Sequence, residues 1–406
     1  MKILVLVDSL KVGGGSDKVA AILGSELHDK GYDVSFLTLS DENPKYQFKG
    51  KYYTLGEKDI YGNNFKRIFK LLIYAPKVKR ICQKLSIDII ISIGDPANFH
   101  ALSSRLLGNK AKLIITQHMN PEIFQESKLR SNLIKFFYPR ADKTVCVSRE
   151  MEKILNENYG VHNTQTIYNM MDTDENIRLS REELPETNKN LMMGDKEQFN
   201  FINLGRLDHQ KGQWFLIRSF RKVADKHENA RLFILGEGDL RRDLKGLIKG
   251  LYLNSNVYFL GEQGNIFPYL ANSNCFIMSS LWEGLPMSLI ETLSLNVPII
   301  STDCKTGPRE ILCPELELNE KLDYPYLGKY AILSQPLPNK EIFKDLESKP
   351  LLESEEQMSD LMIKMMEDHT LREKYSNGQE IARNFDKEKI LMKWCALLEI
   401  ILNKSQ

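Results

Sequence analysis

The sequence predicts an α/β protein of two doubly wound, parallel-sheet domains, and three observations carry that reading. The chain has 406 residues, enough for two sizeable cores. Each half alternates short apolar runs with helix-patterned stretches, the arrangement that parallel strands and crossover helices produce. A polar run after Met171, DTDENIRLSREELPETNKNLMMGDKEQ, has no sustained apolar periodicity and separates the halves. The expected division is residues 1–172, a connection over 173–198, and residues 199–385, with a terminal helix at 386–406 packing back on the first domain.

The elements follow in order. In the first half strands are expected at 2–7, 33–38, 87–93, 112–116, 143–147 and 165–168, with amphipathic segments near 17–29, 64–85, 98–107, 126–137 and 149–158. Pro76 is expected to break the second of these helices. In the second half strands are expected at 200–204, 231–235, 256–260, 275–279, 297–301 and 330–333. Two terminal helices are expected at 355–384 and 386–403, the last carrying Trp394, Leu397, Leu398 and Ile401.

Composition is that of a soluble globular chain, 42% hydrophobic and 27% charged. No apolar run reaches membrane-spanning length. The opening MKILVLVDSL reads as a buried strand rather than a signal peptide, because Asp8 follows a short apolar run directly; a cytoplasmic protein is expected. Six cysteines show no CxxC spacing and are expected to be free. The net charge of +1 is unevenly spread: residues 1–170 carry 25 Lys and Arg against 17 Asp and Glu.

Three segments carry chemistry. After the first strand, Gly13, Gly14 and Gly15 precede a helix, so backbone can approach a ligand at a helix N-terminus. The segment is neither a dinucleotide fingerprint nor a Walker A loop, and a plain tight turn is an equal reading of it. In FINLGRLDHQKG a strand ends near Gly205, and Arg206 and Lys211 flank the loop, which suits a diphosphate. In SSLWEGLPMSLIETLSLNVPIISTD a strand leads to Glu283, then Gly284, Leu285 and Pro286 mark a helix start, with Glu291 about two turns in. A carboxylate there suits sugar or ribose hydroxyls better than phosphate.

Together these segments resemble glycosyltransferase family 4, the retaining, nucleotide-sugar-dependent enzymes of GT-B fold. Ten segments occur in the family's order: GGGSDKV, IIISIGDPANF, IITQHMNP, ADKTVCVS, TIYNMMD, NLGRLDHQKG, LFILGEG, FLGEQGN, the Glu283 segment and GPREIL. The resemblance implies two Rossmann-like domains facing a cleft, the first binding acceptor and the second sugar nucleotide. It implies that Arg206 and Lys211 hold the diphosphate, Glu283 the donor sugar and Glu291 the ribose. Glu237, Gly238, Gly261 and Gln263 would line the base. Gly14 and Gly15 would approach the phosphates and His118 the donor sugar. Arg309 and Glu310 lie just past a loop that would shape the sugar end. Ser16-Asp17 and Asn296 depart from the family's usual Ala-Glu and glycine.

The function this implies is transfer of a hexose or N-acetylhexosamine, from a UDP-sugar rather than a GDP-sugar, to a glycan or lipid-linked saccharide. The TDCKTGPREIL run carries the lean toward UDP. No metal, resident cofactor or nucleic acid is expected; Asp172-Thr173-Asp174 is a D-x-D but lies in the polar connection. A non-catalytic nucleotide-binding protein and a sugar-nucleotide epimerase of the same fold stay open. The basic stretches 61–80 and 128–140, striped with apolar residues, give a further expectation: reversible contact of the first domain with the anionic inner face of the membrane.

Overall fold

A computed structural model describes the chain except residues 12–14, 41–42, 58–63, 125–127, 195–196, 341–345 and 404–406. Gly13 and Gly14 therefore lie outside the described residues, and so do the side chains of Phe65, Lys66, Arg67, Ile68 and Phe69. Two compact units emerge, Met1–Met170 with Lys387–Gln406, and Met171–Asp386.

The first unit holds β1 (Lys2–Val7), β2 (Asp33–Ser40), β3 (Lys51–Glu57), β4 (Ile89–Ile93), β5 (Lys112–Gln117), β6 (Lys143–Cys146) and β7 (Thr164–Thr166). Their order in the sheet is β3-β2-β1-β4-β5-β6-β7, parallel throughout. The central strands are apolar on both faces because helices cover both sides. The helix Lys387–Asn403 lays Ile390, Leu391, Trp394, Leu397, Leu398 and Ile401 into the core formed by Ile3, Val5, Ala20 and Leu23.

The second unit holds β8 (Phe199–Leu204), β9 (Ala230–Leu235), β10 (Val257–Gly261), β11 (Cys275–Met278), β12 (Ile299–Thr302), β13 (Tyr326–Leu327) and β14 (Ile332–Ser334). The order is β10-β9-β8-β11-β12-β14-β13, and only β13 runs antiparallel to its neighbour. Trp214, Phe215, Phe220 and Phe201 centre its core.

Several expectations change. Residues 173–198 are no bare connection: helices Thr173–Leu179 and Glu186–Met193 form there and belong to the second unit. The helix Asn64–Leu85 runs through Pro76. The carbonyl that proline frees belongs to Leu72, which is 70% exposed, so water can satisfy it. The stretch 355–384 divides into Glu353–Glu367, His369–Lys374 and Gln379–Ala382, the first break falling where Asp368 caps the next helix by accepting from Leu371 N at 3.0 Å. The edge strands β3 and β13 are additional. Asn296 holds φ 57°, a left-handed turn where glycine is the easy choice, and its Oδ1 accepts from Gln379 N at 2.8 Å.

Candidate functional site

In the second sheet the chain leaves β8 toward β9 on one side, while β11 lies on the other. That reversal of strand order opens a crevice at the C-terminal strand ends, where doubly wound sheets bind ligands. The loops bounding it are 205–212 after β8 and 279–286 after β11.

Backbone and side chains stitch these loops together. Leu281 N donates to Gln210 O at 2.8 Å, and Ser279 Oγ donates to Lys211 O at 2.9 Å. Gln210 Nε2 donates to Trp282 O at 3.0 Å. On the other flank Glu283 N donates to Lys305 O at 2.8 Å, and Thr306 Oγ1 is 2.9 Å from the carbonyl oxygens of Glu283 and Gly284. Glu283 therefore does not end the strand, as its sequence context suggests; it stands five positions past β11 in a segment held from both sides.

The result is a close ion pair. Lys211 Nζ lies 2.6 Å from Glu283 Oε1, with side-chain exposures of 17% and 7%. Gln210 Nε2 donates to Glu283 Oε2 at 3.2 Å, so both carboxylate oxygens are oriented. An ammonium has three donors, and one contact to Glu283 leaves two for an anion. Gly205 gives the lysine stem its room: a Cβ there would meet Lys211 side-chain carbons at 3.0–3.2 Å.

Glycines also open the neighbouring loops. A Cβ on Gly236 would sit 2.0 Å from Gly205 O, and one on Gly238 would sit 2.4 Å from Leu207 O. Leu207 N donates to Glu237 O at 2.9 Å, tying the β8 and β9 loops. Gly261, at φ 73°, lies beside the Glu237 carboxylate, which pairs with Arg241. Gln263 is turned inward: its Oε1 accepts from Tyr269 OH at 2.7 Å. Gly284, Leu285 and Pro286 pack on Gly307, where an added Cβ would meet Pro286 Cδ at 2.5 Å.

Glu291 lies nearer its helix start than expected, and Arg206 and Arg309 make local contacts. Arg206 is 63% exposed and pairs with Asp208 at 3.0 Å, not with Glu283. Glu291 is the fifth residue of Met287–Leu293, just over one turn in, and is buried. Arg309 faces Asp303 and donates through Nη1 to Glu320 O at 2.7 Å, so its guanidinium fastens a loop. Glu310 beside it is buried. Sequence reading missed Gln210 and Thr306; the only signal for Gln210 is its place before Lys211.

In the first unit, Gly15 opens the helix Gly15–Asp29. The departure at Asp17 has a partner: its buried carboxylate accepts from Ser9 Oγ at 2.5 Å. His118 follows β5 directly, and its Nε2 lies 2.9 Å from Thr116 Oγ1. Its ring is only half-buried by surface area, but its surroundings are dense and burial pushes its pKa down to about 4.

Asp172 and Asp174, the D-x-D, serve a helix start: Asp172 Oδ1 accepts from Glu175 N at 2.9 Å, and Asp174 pairs with Arg383 at 3.0 Å. Among the described residues no group of three or more His, Cys, Asp or Glu is placed to hold a metal. The six cysteines are free.

Comparison with known proteins adds the family. Residues 13–175 match the family described as Glycosyltransferase Family 4, and residues 189–317 match Glycosyl transferases group 1. An uncharacterized glycosyltransferase of Methanocaldococcus jannaschii is 46% identical over 343 residues, covering 82% of this chain and 84% of its own length. The chain belongs to glycosyltransferase family 4.

A second relative of this glycosyltransferase is a Campylobacter jejuni enzyme named N-acetylgalactosamine-N,N'-diacetylbacillosaminyl-diphospho-undecaprenol 4-alpha-N-acetylgalactosaminyltransferase. It is 27% identical over 389 residues, covering 93% of this chain and 94% of its own length. Among solved structures, Anabaena HepE in complex with UDP and glucose superposes with a TM-score of 0.77 at 18% identity, covering 98% and 99% of the two chains. Sucrose-phosphate synthase from Thermosynechococcus elongatus gives 0.78 at 16% identity, with both chains covered fully. The fold is GT-B.

Proposed function

We propose that this glycosyltransferase moves a hexose or N-acetylhexosamine from a UDP-sugar to a glycan or lipid-linked saccharide, with retention at the anomeric carbon. The Lys211–Glu283 pair at the second sheet's strand-order reversal carries the reading. The family relation, the UDP bound to HepE and the lipid-linked acceptor in the name of the Campylobacter relative support it.

In this reading the leaving diphosphate gains negative charge, and Lys211 meets it with the donors that Glu283 leaves unused. Arg206, exposed beside Asp208, turns toward the same phosphates when donor arrives. Glu283, with both oxygens fixed by Lys211 and Gln210, accepts from donor-sugar hydroxyls. Glu291 takes the ribose, and Glu237, Gly238, Gly261 and Gln263 surround the base. Gly284, Leu285 and Pro286 shape the sugar end, and Gly14, Gly15 and His118 are the first unit's contribution. These cations make a divalent metal unnecessary, so transfer should survive EDTA. The decisive experiment is transfer and hydrolysis with a panel of UDP- and GDP-sugars. No turnover with any of them, alongside tight nucleotide binding, would favour a non-catalytic protein; turnover with GDP-sugars alone would overturn the donor assignment.

The membrane contact belongs to the same reading. Helices Asn64–Leu85, Asp95–Leu106 and Lys128–Phe137 lie side by side, linked by ring contacts of Tyr74 with His100 and Phe99 with Phe137. Leu72, Ile73, Leu106, Leu129 and Phe136 are exposed there. Lys77, Arg80, Lys128 and Lys135 are exposed on the same helices, whose one acid, Asp95, is paired with Arg130. No helix among the described residues is long and apolar enough to cross a membrane. Exposed apolar groups among cations suit an anionic bilayer surface, at roughly 1 kcal/mol per cation near it. Vesicle co-sedimentation should show preference for anionic over neutral lipid at low salt, lost at high salt; equal sedimentation would exclude this docking.

A further inference from the structure

Thr116 is buried near the end of β5, and its hydroxyl has two neighbours. Its Oγ1 donates to Ser92 O at 3.0 Å, and a carbonyl oxygen can only accept. The single hydroxyl proton is thereby committed. The second neighbour, His118 Nε2 at 2.9 Å, must then be the donor, and Thr116 Oγ1 the acceptor. The threonine itself cannot turn away. It sits in register between β4 and β6, and Asn98 Nδ2 donates to its backbone carbonyl at 2.9 Å.

A neutral imidazole carries one N–H. With that proton on Nε2, Nδ1 is a bare lone pair. No described residue donates to Nδ1, and it is not among the fully buried side-chain nitrogens that lack a partner, so it reaches solvent. The ring lines a small, mainly apolar cavity with Val19, Leu23, Ile93, Val145 and Trp394, which Tyr168 and Asn169 also border, with about 10 Å³ of free space, room for roughly one water. Burial in that mainly apolar surround opposes the imidazolium and keeps the ring neutral at ordinary pH.

We propose that Thr116 is a positioning residue that fixes His118 as the Nε2–H tautomer, so that His118 meets the donor only as a hydrogen-bond acceptor through Nδ1. The partner is then a hydroxyl of the transferred sugar, not a phosphate oxygen, because an acceptor and an anion repel. This rests on His118 contacting donor, as proposed above, but the tautomer can be measured without any donor.

The test is nitrogen NMR of the histidine rings in the full-length chain at pH 7, with His118→Gln to assign the signal. The wild type should show His118 Nδ1 unprotonated and Nε2 protonated. Thr116→Val keeps the β-branched shape, removes the acceptor, and should mix the two tautomers; Thr116→Ser should restore the wild-type pattern. In transfer assays Thr116→Val should lower kcat/KM about 5- to 10-fold, the worth of one neutral hydrogen bond, with Thr116→Ser recovering it. A wild-type ring protonated on Nδ1, or a Thr116→Val ring with unchanged tautomer, would overturn the proposal. A shifted tautomer with unchanged kcat/KM would overturn the link to donor. Failure of every donor to turn over would count against the proposed function alone, since the ring signals would still decide the tautomer.

Discussion

The two sheets share a plan but spend their polar groups differently. Each reverses its strand order once, between β1 and β4 in the first and between β8 and β11 in the second. At the first reversal the carboxylates are used up internally. Asp8 Oδ1 accepts from Ala97 N at 3.0 Å, and Asp95 accepts from Tyr138 OH at 2.7 Å and pairs with Arg130. At the second, the cation of the Lys211–Glu283 pair keeps donors to spare. The same topology thus yields a closed polar network in one unit and a chemically open one in the other. Topology marks where a site can be; the loops decide whether one is built.

The largest expected effect breaks the open pair. Lys211→Met should lower kcat about 10²–10³-fold, the usual cost of losing one donor to a developing anion. It also strands a buried carboxylate, costing roughly 3–5 kcal/mol. Lys211→Met combined with Glu283→Gln should recover most of the stability and none of the activity. A single variant with near-wild-type turnover would remove the pair from the mechanism. Arg206→Ala should cost less, since an exposed cation is screened by solvent.

Next is the first unit's core. Trp394→Ala empties a buried indole site beneath the sheet and should cost about 3–5 kcal/mol. Hydrogen exchange should speed up across β1, β2 and β4 and stay unchanged in β8, β9 and β11. Equal loss in both sheets would mean that the two units do not unfold separately.

Much of this was legible in the sequence, for a physical reason. A parallel strand buried on both faces is a continuous apolar run, so the interior strands from β1 to β12 stand out. The edge strand β3 does not, because KYYTLGE pairs on one side only and mixes polar with apolar residues. Pro76 misleads because a helix interrupted on its solvent side need not end. Lys211 and Glu283 were legible singly, by residue type and loop position. Their pairing was not, since 72 positions separate them and the contact depends on backbone bonds between loops. Arg309 shows the converse: a cation just past the loop expected to shape the sugar end, which the fold uses on its own carbonyls.

Two histidines of the first unit give it a pH signature. Burial pushes the pKa of both His100 and His118 to about 4, below the usual 6.5, with Lys70 adding to the shift at His100. Between these values the unfolded chain binds protons that the folded one does not, so stability rises with pH. The stabilisation is complete above pH 6.5 and is lost as pH falls toward 4. Each histidine contributes at most about 1.4 kcal/mol per pH unit in that window. His100→Gln should flatten the first unit's melting-temperature profile between pH 6 and 4; an unchanged slope would show that His100 titrates normally in the fold.

The smallest effect concerns the rim of the open site. Arg309 holds Asp303 and reaches the carbonyls of Leu318 and Glu320, while Tyr324 OH donates to Asp303 Oδ2 at 2.6 Å. Burial first, and then the Asp303 carboxylate, raise the tyrosine's pKa, so it stays a donor. A planar guanidinium can serve a carboxylate and a row of carbonyls at once, and an ammonium cannot. Arg309→Lys should therefore keep the charge pair and drop the loop contacts, costing roughly 1.5–3 kcal/mol. Residues 313–324 should become the preferred site of protease cleavage, with KM for donor rising only a few-fold and kcat little changed. A collapse of kcat as deep as that of Lys211→Met would show that Arg309 touches the reacting sugar, and that the second unit's rim is part of its chemistry.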